Sequence, residues 1–128
     1  MAKGKEKSGR ISVFKGHEAR LNQAIFHILA LKSPLTIYDI HKEAKAQKGL
    51  KHVRYASVNK RVRSLEESGY IKKIGIKKTK AGFEASIYEL NVKGYLAILL
   101  NQINLDDFLK RVDDAAASTI LGAITGTT

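Results

Sequence analysis

Ser57-Val58-Asn59-Lys60-Arg61-Val62-Arg63-Ser64-Leu65-Glu66-Glu67-Ser68-Gly69-Tyr70-Ile71 is the stretch on which the reading of this chain turns. Val58, Val62 and Leu65 recur at spacings of four and three, the signature of a helix with one apolar stripe, and Gly69 is a natural stop for it. The spacing predicts a helix over residues 55–68. Tyr55, Ser57, Asn59, Lys60 and Arg63 are then left for its outer face, with Arg61 beside them. Beyond Gly69 the period changes. Residues 70–77 and 83–90 are Ile- and Tyr-containing stretches joined by Lys77-Lys78-Thr79-Lys80-Ala81-Gly82, a pattern that predicts a β-hairpin with a basic tip. Tyr70, Ile71, Ile74 and Ile76 read as core residues.

Upstream, Leu21, Ala24, Ile25, Ile28, Leu29 and Leu31 form the stripe of a helix over 19–31. Ser33-Pro34 closes it, because a residue before proline is pushed out of the helical region. Thr36 is placed to cap a second helix over 37–47, with Asp39 three residues on and Gly49 beyond its end. Ile37, Ile40 and Ala44 supply the buried face of this helix, and Tyr38 is a further candidate for it. Downstream, Asn91 is placed to cap a helix over 92–101, and Asn104 opens a last one reaching Leu121, with Asp106 and Asp107 at its positive end. The expected division is a flexible basic arm at 1–16, a folded domain at 17–92, a C-terminal helical segment at 93–121 and a frayed tail at 122–128.

Charge is distributed unevenly over this plan. The 128 residues carry a net charge of +11, and most of the excess lies in residues 51–80, where ten Lys and Arg face only Glu66 and Glu67. Residues 101–128 sum to −2. A polyanion is therefore expected on one face of the molecule and some other partner at its C-terminal end. The chain has no Cys, which excludes disulfides, thiolate metal sites and Cys nucleophiles. The lysine-rich start lacks the apolar stretch of a signal peptide, and no run approaches the ~20 apolar residues of a membrane span, so a soluble cytoplasmic, nucleoid-associated protein is expected.

Catalytic signatures are missing as well. His17, His27, His41 and His52 match no zinc motif, so neither a metal nor a cofactor is expected. The pairs Asp106-Asp107 and Asp113-Asp114 stand seven residues apart, on one face of a single predicted helix, and read as caps and surface partners of Lys110 and Arg111. With no phosphate loop and no nucleophile elbow, an enzyme is not expected.

The segment from Ser57 to Ile71 resembles the recognition helix and strand entry of winged helix-turn-helix regulators, in which Leu, Glu-rich positions and Gly follow a small polar and an aliphatic residue. Ile87-Tyr88-Glu89-Leu90-Asn91-Val92-Lys93-Gly94 is similar to the second wing strand and following helix start of the bacterial and archaeal multiple-antibiotic-resistance (MarR) and PadR-like groups. The resemblance spans about residues 19–100. It implies an α+β, mostly helical fold: three helices, a two-stranded β-wing and C-terminal helices used for dimerisation.

A helix about 10–12 Å across fits the major groove of B-DNA, about 12 Å wide. Ser57, Asn59, Lys60 and Arg63 are the expected base readers, with Arg61 a further DNA contact. Arg54 and Tyr55 flank the helix entrance, and Lys77, Lys78 and Lys80 are set over the backbone or an adjacent minor groove. Double-stranded DNA is the expected partner, bound sequence-specifically by a transcriptional regulator. The alternatives are a non-specific architectural protein and a protein-interaction winged helix. The C-terminal segment holds more apolar residues than a small domain covers. Leu99, Ile103, Phe108, Leu109, Val112, Ala116 and Ile120 are the expected interface of a homodimer, those from residue 105 onward along a short heptad seam, the alternative being a helix that folds back on its own domain. No residues for a small effector stand out.

Overall fold

The computed structural model of the protein describes residues 11–126. A 3-10 turn at Ser12–Phe14 precedes α1 (Ala19–Lys32), β1 (Leu35–Thr36), α2 (Ile37–Lys45), α3 (Tyr55–Glu67), β2 (Ile71–Lys78), β3 (Glu84–Leu90), α4 (Val92–Gln102), α5 (Leu105–Arg111) and α6 (Asp114–Thr125). The chain is α+β and mostly helical. The sheet among the described residues is antiparallel with strand order β1-β3-β2.

α1 runs through the centre of the core. Its Ile25, Phe26 and Leu29 pack with Ile40 of α2, with Val58, Val62 and Leu65 of α3, and with Ile71, Tyr88 and Leu90 of the sheet. The three apolar positions expected of α3 are thus all buried, and burying side chains of this size, at about 1.5–3 kcal/mol each, is what fixes how α3 rolls. Thr36 caps α2 as its sequence position implies, its Oγ1 accepting from the Asp39 N–H at 3.1 Å. α3 ends on Gly69 at φ +85°, where the Tyr70 N–H reaches the Leu65 carbonyl and the Gly69 N–H that of Glu66, both at 3.0 Å. A side chain at Gly69 would strain this closure, which sets the direction in which β2 leaves the helix.

The hairpin is not a two-stranded wing, since β1 joins it: Leu35 and Thr36 pair with Tyr88 and Ile87 of β3. The register between β2 and β3 slips between Lys73 and Gly75, leaving Ile74 as an extra residue in a bulge. Ile74 and Ile76 are exposed, contrary to the core placement expected from their type, while Ile71 and the partly buried Tyr70 do join the core.

Two boundaries also differ at the start of the chain and at α2. Residues 11–16 do not belong to a flexible arm: Phe14 is buried with its ring edge-on to Phe26 at 4.9 Å, and Ile11 and Val13 pack against the core. Three apolar side chains with a hydrophobic slot to fill outweigh the charged residues on either side of them. The rest of the expected arm, residues 1–10, lies outside the described residues. α2 stops at Lys45, before Gly49, and Tyr38 is exposed rather than buried.

The largest difference is at the C-terminal end. α4 packs through Gly94 and Ala97, and Asn91 leads into it without capping it: the Asn91 Nδ2 donates instead to the Gly69 carbonyl at 2.8 Å, tying α4 to the end of α3. The single helix expected from Asn104 to Leu121 is two helices. Val112 and Asp113 are extended, and Asp113 starts α6 by accepting from the Ala116 N–H at 2.8 Å, as Asn104 starts α5 by accepting from that of Asp107 at 3.1 Å. A continuous heptad seam is therefore interrupted at Val112. The tail expected to fray from Gly122 is helical to Thr125, and residues 127–128 lie outside the described residues.

Candidate nucleic-acid interface

At about 3.6 residues per turn, α3 has three distinct flanks. Val58, Val62 and Leu65 face the core. Tyr55, Asn59 and Arg63, on successive turns, form one flank, and Arg61 stands on the opposite one. Between them Ala56, Lys60 and Glu67 point to solvent. The exposed carboxylate of Glu67 ends the cationic surface at the far end of the helix.

The Tyr55 flank faces a groove of about 960 Å³ between α3 and the hairpin. Tyr55, Asn59 and Arg63 line one wall and Lys77, Lys78, Thr79, Lys80 and Phe83 the other, with Tyr38 and Lys42 of α2 at one end. Five cationic side chains and two carboxylates, Asp39 and Glu84, make it electropositive. The Arg63 Nε donates to Asn59 Oδ1 at 3.3 Å, which holds the guanidinium and the amide side by side. Both have donors left for a ligand, since a guanidinium carries five N–H groups and an amide nitrogen two. Tyr55 is positioned edge-on to His41 at 5.7 Å, and His41 in turn hydrogen-bonds the Val53 carbonyl at 2.9 Å.

Six of the ten residues expected to touch DNA therefore meet in one groove: Tyr55, Asn59, Arg63, Lys77, Lys78 and Lys80. Arg54, Ser57 and Lys60 are exposed but lie outside it. Arg61 has a different role. Its side chain is only 15% exposed, its Nη1 pairs with Glu18 Oε1 at 2.9 Å, and its Nε donates to Asn22 Oδ1 at 3.0 Å. The Asn22 Nδ2 donates to the Val13 carbonyl at 2.9 Å, so this Arg fastens the 3-10 turn and α1 to α3. Sequence position alone could not separate it from Arg63, because the groups that claim it, Glu18 and Asn22, lie about forty residues away at the start of α1.

Tyr38, Lys42 and Phe83 were not expected here. Tyr38 and Lys42 share a helix face at a spacing of four, and Phe83 is an aromatic residue beside a lysine-rich turn; both signals are present in the sequence but equally fit burial. Among the described residues, no group of His, Asp and Glu is placed to hold a metal ion, and no helix is long and apolar enough to cross a membrane. No family model matches the chain, and no curated protein is significantly similar to it.

Proposed function

We propose that the chain is a winged-helix protein that binds double-stranded DNA sequence-specifically and regulates transcription by occupying its site, with α3 in the major groove and the β2–β3 hairpin on the backbone beside it. The observation that carries this reading is the convergence of Asn59 and Arg63 with Lys77, Lys78 and Lys80 on one open groove. Arg and Asn can each bond a base edge bidentately, whereas flexible Lys side chains find phosphate. The width of a recognition helix favours the B-form major groove over the deep, narrow one of RNA.

A second copy of the chain completes the proposed assembly. α5 and α6 have seven and twelve residues and bury none of them in their own subunit. Isolated helices shorter than ~12–15 residues are marginal in water, so these need a covering surface. Leu105, Phe108, Leu109, Ile120, Leu121 and Ile124 are all exposed. The segment's negative charge suits a protein partner rather than a polyanion, and a twofold dimer would set two α3 helices ~34 Å apart, one turn of DNA.

Selection of bound duplexes from a random pool tests the reading. A regulator should hold its best duplex at least ~10³ more tightly than random ones; equal affinity would leave an architectural protein. Two neighbouring arginines should then separate cleanly. Arg61→Ala strands the buried Asn22 Oδ1 and should cost about 1–3 kcal/mol of stability in urea unfolding. Arg63→Ala should leave stability unchanged and cost about 1–3 kcal/mol of binding, with preference relaxed at one base position.

A further inference from the structure

Phe83 is 72% exposed at the tip of the hairpin, in a turn that carries Lys77, Lys78 and Lys80. Its backbone is nonetheless fixed. The Thr79 N–H donates to the Phe83 carbonyl at 2.7 Å, the Phe83 N–H to Thr79 Oγ1 at 3.2 Å, and the Gly82 N–H to the Thr79 carbonyl at 2.9 Å. Gly82, at φ +89°, supplies the left-handed residue that a three-residue hairpin loop requires. The ring is thus presented by a braced turn rather than a loose one.

The surface that suits such a ring must be apolar and bordered by negative charge. A protein pocket would suit Lys77, Lys78 and Lys80 only where carboxylates ring its rim. A stacked base step offers an apolar slot with phosphates on both sides. Phe83 also lines the groove that holds Asn59 and Arg63, so a duplex seated on α3 passes the hairpin tip. Resting on the DNA-binding reading above, we propose that Phe83 is a wedge: it enters the minor groove next to the site read by α3 and inserts between two base pairs, partly unstacking them. Apolar wedges of this kind kink a duplex by about 20–90° towards the major groove, which here would close the DNA around α3. Part of the protein's selectivity then comes from the stiffness of a step it does not read by hydrogen bonds, with flexible pyrimidine–purine steps favoured.

The test uses the full chain and the best-bound duplex of the random pool, carrying 2-aminopurine at successive positions, with fluorescence intensity and anisotropy read on the same samples. The expected result is a severalfold rise in intensity at one step on saturation. Phe83→Ala should abolish the rise and weaken binding about tenfold without altering its salt dependence, and Phe83→Trp should retain it. Binding by anisotropy with no change in intensity at any position, or a rise that persists in Phe83→Ala, would overturn the wedge while leaving the DNA reading intact. Absence of any anisotropy change would remove both.

Discussion

Leu109→Asp combined with Leu121→Asp should convert the protein from a dimer to a monomer and weaken binding to its selected duplex by about 10²–10⁴-fold, the range by which linking two sites on one partner exceeds either alone. Both side chains are more than half exposed, at 65% and 61%, so neither change disturbs the core of the subunit that carries them. The loss follows from geometry: α3 and the hairpin of each subunit remain intact, but the second half-site is no longer held near the first. Sedimentation measures the oligomeric state and a titration at fixed salt the affinity. A double variant that remained dimeric would place the subunit contact elsewhere, with the exposed face of α4 around Leu99 next to be tested.

The dependence on salt should be steeper still. Four cations besides Arg63 line the groove, namely Lys42, Lys77, Lys78 and Lys80. If each neutralises one phosphate, a dimer releases the counterions of eight, and the slope of log affinity against log salt is about −7. Raising salt from about 50 to about 200 mM should then lower affinity by about 10⁴-fold. Lys78→Ala removes one contact from each subunit and should flatten the slope by about 2 while weakening all sequences alike, and the monomeric double variant should show about half the wild-type slope. A slope near zero would assign the charge of the groove to something other than phosphate.

How much of this was legible in the sequence depended on whether a residue's fate is decided locally. α1 to α4 and the hairpin follow from apolar periodicity, with Ser33-Pro34 closing α1 and Gly69 closing α3, because each such segment carries its own stripe. β1 has two residues and no period, and it exists only because β3 offers it an edge. The break at Val112 is decided by a competition: Asp113 can sit inside a helix or cap the next one, and capping prevails. Phe14 reads as part of a basic arm because Lys15 and the lysine-rich residues 1–10 flank the short run Ile11-Ser12-Val13-Phe14, too short to show a period, whereas its neighbours in space are Phe26 and the core. The candidate site divides in the same way. Helical spacing alone places Tyr55, Asn59 and Arg63 on one flank, but only the packing of α1 against α3 shows that Arg61 is engaged elsewhere, and only the course of the hairpin brings Phe83 and the lysines across from α3.

Backbone amide hydrogen exchange, compared with and without saturating duplex, tests most directly whether the groove receives DNA. Protection is expected at the start of α3, from Tyr55 to Arg63, and through the hairpin turn from Lys77 to Phe83, with α5 and α6 unchanged by the duplex. Protection confined to α4, α5 and α6, with α3 and the hairpin exchanging as in the free protein, would contradict it.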